Sequence, residues 1–214
     1  MYKAVSRKIK KIASELDSSG DLNKCVDLED VVFELSYEIG AKYYYEHNFL
    51  DAVRWLLFAA ENNSIAAQSM LGAIYYTGND VFESSGIEQD LVLAKKWLSL
   101  AAREIDEKAC HYLGLMYYSG EGVSLDYDKA FQYFLTAAKK GHSISMVFLG
   151  KMYANGQGTN KNYLEAYAWL NIDADYSRNF ANLEMDILET SLVDDKLMEA
   201  VSLCRKYSSA YNKP

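Results

Sequence analysis

The chain has 214 residues, 30 acidic side chains against 22 Lys and Arg, and a formal net charge of −8. That balance argues against sequence-independent nucleic-acid binding, which neutralises phosphates with clustered Lys and Arg; it fits a basic partner or plain solubility. Half the residues are hydrophobic, the single proline is Pro214 and there are only 12 glycines, so Pro-rich linkers and turn-hungry β-sandwiches are excluded in favour of one helical domain or short array.

The first segment, residues 1–27, opens MYKAVSRKIKKIASEL. It is basic but has no apolar h-region, so it does not read as a secretory signal. Val5, Ile9, Ile12 and Leu16 have the spacing of an amphipathic helix that docks on the body of the protein, with a membrane-surface anchor as the weaker reading. No run approaches the ~18–20 apolar residues needed to span a bilayer. From Glu15 to Asp51 there are ten acids against two lysines, a solvated face or a steering surface for a basic partner. Cys25, Cys110 and Cys204 are odd in number and far apart, which reads as reduced thiols in a cytoplasmic protein.

Residues 28–175 carry an internal repeat, in units of about 28–62, 63–104, 105–140 and 141–175. The pairs Ile39-Gly40, Leu71-Gly72, Leu113-Gly114 and Leu149-Gly150 stand 32, 42 and 36 residues apart. Ala52, Ala94, Ala130 and Ala166 follow at 42, 36 and 36, each with an aromatic three residues later: Trp55, Trp97, Tyr133 and Trp169. Four residues before each alanine lies a capping type, Asn48, Asp90, Asp126 or Asn162. Each unit therefore reads as two helices. The first holds the Leu-Gly pair and a tyrosine three residues on (Tyr75, Tyr117, Tyr153), and stops at Gly78, Gly120 or Gly156. A glycine inside a helix costs roughly 1 kcal/mol relative to alanine, so its recurrence implies close approach of the paired helix. One such unit cannot bury its apolar stripe alone, whereas stacked units can. Residues 176–214 read as a helical cap.

The string AAREIDEKACHYLGLMYYSGEGVSLDYDKAFQYFLTAA, from Ala101 to Ala138, resembles a Sel1-like repeat, a relative of the tetratricopeptide repeat with a longer inter-helix loop. Residues 137–174 and 59–102 are similar, and the shorter unit around 33–60 is closer to tetratricopeptide length. The resemblance implies an all-α, right-handed superhelix of about four helix pairs that acts as a protein-interaction scaffold and does no chemistry. Disulfide-rich members of this family pair cysteines in every repeat; Cys110 has no such partner.

Carrying the tetratricopeptide pattern over places four first-helix positions of each unit on the concave face. They are Tyr37, Ala41, Tyr44 and Tyr45; Ser69, Ala73, Tyr76 and Thr77; His111, Leu115, Tyr118 and Ser119; and Val147, Lys151, Ala154 and Asn155. Tyrosine has a large apolar face and a polar tip and loses little entropy when held, which suits recognition. The second unit also has six extra residues, with apolar Val81 and Phe82, that pack on the body or insert into a partner. The expected partner-binding residues are Tyr37, Tyr44, Tyr45, Tyr76, Phe82, His111, Leu115, Tyr118 and Lys151.

Catalytic and metal chemistry lack a pattern. His47, His111 and His142 share no ligand spacing, GEG and GQG lack a preceding strand and a G-K-[ST], and no serine sits in G-x-S-x-G. No cofactor or metal is expected. The reading is a non-enzymatic adaptor for a protein or peptide, in a narrower version an immunity protein that neutralises a basic bacterial toxin. A membrane-associated adaptor and a small-molecule binder or enzyme are the alternatives.

Overall fold

A computed structural model describes residues 23–78, 86–172, 182–192 and 194–211. The amphipathic segment with Val5, Ile9, Ile12 and Leu16, and the insert with Val81 and Phe82, lie outside the described residues. Those described form ten α-helices and no strand. They fall into two compact bodies, Met1–Asp90 and Leu91–Pro214.

The amino-terminal body contains α1 (Asn23–Tyr45), α2 (Phe49–Glu61) and α3 (Ile65–Thr77). The turn before α2 is short because Asn48 serves twice: its side chain accepts from the Asp51 N–H, and its own N–H donates to the Tyr43 carbonyl at 2.9 Å. Gly40 sits where α1 meets α2, and a Cβ there would lie 2.7 Å from Leu56 Cγ. Ile39, Ala52, Leu56, Leu71 and Ile74 of this body are buried.

The carboxy-terminal body contains α4 (Leu91–Arg103), α5 (Glu107–Ser119), α6 (Tyr127–Lys139), α7 (Ser143–Asn155) and α8 (Tyr163–Asn171), followed by α9 (Asn182–Ser191) and α10 (Asp194–Tyr211). The glycine column does the same work in this body. A Cβ at Gly114 would stand 2.7 Å from the Phe134 ring, and one at Gly150 would stand 2.6 Å from Leu170 Cγ. Only a side chain of hydrogen lets the two helices of a pair come this close. Ala130, Phe134, Ala138, Met146, Leu149, Met152 and Trp169 form the core that follows.

Turn chemistry repeats with the same fidelity. Asp90, Asp126 and Asn162 each donate a backbone N–H, at 2.9 Å, to the carbonyl of Tyr75, Tyr117 or Tyr153. Asp126 and Asn162 also cap their helices by side chain. Gly120 and Gly156 end α5 and α7 in the left-handed conformation. The first helices are capped by Ser64, Asp106 and His142, each preceded by a residue of positive φ: Asn63, Ile105 and Gly141.

Candidate partner-binding faces

In the amino-terminal body Tyr37, Tyr44 and Tyr76 are half-buried, and Tyr45 is 71% exposed. Tyr44 is wedged edge-on between Tyr45 and Phe49, with ring centroids 5.5 Å from each. Burial, and then the Tyr45 phenol beside it, raises the Tyr44 hydroxyl above its ordinary pKa, so Tyr44 stays a neutral donor near pH 7. The carbonyl of Tyr76 accepts from Gln89 Nε2 at 2.8 Å, which ties the end of α3 to the loop that follows it. An open cavity of about 400 Å³ lies on the same body, lined by Leu50, Val53, Arg54, Tyr75 and residues 86–90. Phe82 lies outside the described residues.

In the carboxy-terminal body Leu115 and Tyr118 on α5 and Lys151 on α7 are all half-buried. Tyr118 meets Phe148 at 5.5 Å and Phe134 at 6.2 Å, both edge-on, and its hydroxyl donates to Gln157 Oε1 at 3.3 Å. The ring also meets Tyr127 edge-on at 5.4 Å and is only half-buried. Phe148 stacks on Phe134, with centroids 4.8 Å apart and planes at 12°.

Two expectations need correction. His111 does not stand in the open: it is 6% exposed, with Nδ1 3.0 Å from Ser145 Oγ and its ring against His142, Phe134 and Phe148. Burial, then His142, holds its pKa down at about 3. Ser69 and Val147, two residues before the Leu of their units as His111 is, are 4% exposed, so this column is covered in the last three units, while Tyr37 in the first is half-buried. Val147 packs with Ala166, Leu170, Met185 and Leu188, the last two from α9. Phe148, one residue on, is the aromatic that Tyr118 meets, and the column rule missed it. Its signal was the stripe Ile144, Phe148, Lys151 and Asn155, at i, i+4, i+7 and i+11 on one helix face.

Chemically these faces offer aromatic edges and tyrosine hydroxyls, with one lysine on α7. Among the described residues no group of three or more His, Cys, Asp or Glu could hold a metal ion. No helix among them is long and apolar enough to cross a membrane.

Four successive stretches, residues 32–64, 65–106, 107–142 and 143–172, match the family model for the Sel1 repeat. No curated protein matches the chain. Among solved structures it is similar to c5321, a protective antigen of uropathogenic Escherichia coli strains that displays an SLR fold, with 26% identity and a TM-score of 0.75 over 96% of this chain and 45% of that one. It is also similar to a Sel1 repeat protein from Oxalobacter formigenes, with 27% identity and a TM-score of 0.61 over 71% of this chain and 60% of that one. The chain thus spans less than half the length of the first.

Proposed function

The chain belongs to the Sel1 repeat family of all-α helical repeat solenoids, whose members serve generally as protein–protein interaction scaffolds; from that premise we propose that it holds a protein or peptide partner on the aromatic faces of its first helices. The observation that carries this reading is the state of the tyrosines. A ring that only filled a gap would be buried throughout, whereas Tyr45 is 71% exposed, and Tyr37, Tyr44, Tyr76 and Tyr118 each keep part of their surface in water. Such rings cost little entropy to fix and combine apolar area with a hydroxyl. Lys151 and Leu115 belong to the same proposal. His111 is left out because nothing of it is offered to a ligand.

The net charge of −8 favours a basic partner, through steering rather than through any one contact. On the narrower reading that partner is a toxic enzyme and this chain its immunity protein. The scaffold role itself does not depend on that identity, and it requires no catalysis.

Partner capture from the source cells tests the proposal, with wild type compared against Tyr45→Ala/Tyr76→Ala and against Leu115→Ala/Lys151→Glu. Both variants are expected to melt within a few degrees of wild type and to lose the partner. Folded variants that keep every partner would disprove the aromatic-face reading. A captured partner that is acidic, or an enzyme left fully active, would remove the immunity version and leave the scaffold standing.

A further inference from the structure

At α7 the chain departs from its own capping pattern. Ser64 and Asp106 cap α3 and α5 through oxygen, each accepting from the N–H three residues on. His142 does the same work with a nitrogen, accepting from the Ser145 N–H on Nδ1 at 3.3 Å. An imidazole nitrogen accepts only while it carries no proton, a condition that a serine hydroxyl does not impose.

The surroundings tighten that condition. Ser145 Oγ is 3.0 Å from His142 Nδ1 and 3.0 Å from His111 Nδ1. One hydroxyl has one hydrogen to give. Because His142 Nδ1 already faces the Ser145 N–H, it is the acceptor of the pair, and the consistent assignment runs in one direction. His111 Nδ1–H donates to Ser145 Oγ, and the Ser145 hydroxyl donates to His142 Nδ1. His142 is then neutral, its one proton on Nε2. Their rings lie 4.4 Å apart and 32° from parallel, Ser145 is fully buried, and His111 is 6% exposed. Two positive rings cannot share that space, and even one proton on His142 Nδ1 sets two donors against each other.

We propose that His111, Ser145 and His142 form an acid-released latch that joins α5 to α7, so that protonation uncaps α7 and frees it from α5. From the start of α5, Asp106 and Glu107 favour a proton on His142 and Lys108 opposes it. Around His111 stand the rings of Tyr112, Phe134 and Phe148. Lys140, at the end of α6, precedes the turn, and the backbone of Tyr211 on α10 lies against Gly141.

Burial is the largest influence on both rings, and it lowers both pKa values, that of His111 to about 3. The closed latch therefore refuses protons that the open arrangement accepts. Its stability is complete above the ordinary histidine value of 6.5 and declines as pH falls below it. Each histidine raises the population of the open arrangement by up to about tenfold per pH unit below that point. Phe148 rides on α7, 6.0 Å from His111, so the place of its ring beside Tyr118 depends on the latch. That consequence rests on the scaffold reading; the latch itself does not.

The test uses the whole chain alone, so its failure is separate from a failure to find a partner. Urea unfolding is followed from pH 7.5 to 5.0 for wild type, His142→Asn (a cap that does not titrate) and His111→Gln/His142→Asn, with NMR titration of the imidazole resonances of wild type. The wild-type midpoint should fall further than that of His142→Asn, and the double variant should have the flattest profile. His111 and His142 should titrate below 6.5, with His111 protonated on Nδ1. Equal pH dependence in wild type and the double variant would overturn the latch, as would a His142 that titrates at or above 6.5. If the double variant does not fold, the NMR titration of wild type decides alone.

Discussion

Trp169 lies face to face with Tyr207, their ring centroids 4.7 Å apart and their planes 28° from parallel, and Tyr211 stacks on the same indole at 5.7 Å. Tyr207 is one of the last residues of α10 and Trp169 the aromatic of the last repeat. In the preceding unit the equivalent Tyr133 stacks on Tyr117 of the paired helix, whereas Trp169 meets the cap. The Tyr207 hydroxyl donates to both carboxylate oxygens of Glu165, at 3.2 and 3.1 Å, and burial followed by that carboxylate raises its pKa well above the ordinary value.

Removing this anchor separates stacking from hydrogen bonding. Tyr207→Phe keeps the ring and is expected to cost about 1 kcal/mol, the charged hydrogen bond being discounted for a half-exposed site. Tyr207→Ala also loses the stack and is expected to cost about 3 kcal/mol in urea unfolding. Equal costs for the two variants would show that the ring contributes nothing.

Gly114→Ala sets two known effects against each other. Alanine gains roughly 1 kcal/mol over glycine in a helix interior, while overpacking costs about 1–3 kcal/mol. The added Cβ would stand 2.7 Å from a Phe134 ring that is fully buried and has nowhere to go. The net expectation is a loss of about 1–2 kcal/mol. A variant more stable than wild type would mean that the column's close approach is not what selects glycine.

Ile105 should be improvable. It has φ 58° in a column shared with Asn63 and Gly141, residues that tolerate the left-handed region, and it is 48% exposed. A β-branched side chain there is strained by about 1–2 kcal/mol and buries little in return. Ile105→Asn is expected to stabilise the carboxy-terminal body by about 0.5–1 kcal/mol, read as a higher melting temperature. A lower one would show that the isoleucine packs more than its exposure suggests.

Cys110 should be chemically silent in the folded chain. Burial raises its thiol to about 11, assisted by Asp106 and Glu107 and opposed by Lys140. At pH 8 only about one thiol in a thousand is then ionised. Iodoacetamide at that pH, with peptides read by mass spectrometry, should label Cys110 only after denaturation. Because the folded pKa is the higher one, this thiol also makes stability fall as pH rises from the ordinary value of 9.0 towards 11. Rapid native labelling of Cys110 would contradict both statements.

Legibility in the sequence followed the range of the interaction. Asn48, Asp126 and Asn162 cap their helices, and Gly120 and Gly156 end theirs, because a cap is settled within three or four residues of chain. The groove assignment depended on a rotation of one residue, 100° on a helix, and that is where it slipped between Val147 and Phe148.

The sequence by itself determined the helical repeat, the glycine and tyrosine columns, the turns and the family, since each is a periodic pattern of local preferences. Only the tertiary structure decided which faces remain open. Val147 is covered by Met185 and Leu188, some forty residues further on, and His111 finds Ser145 in the next unit, 34 positions away. Nothing in the local sequence announces such partners. The few glycines and the absence of proline before position 214 already favoured helices; burial then divided the tyrosines into those that pack and those that, like Tyr45, stay in water.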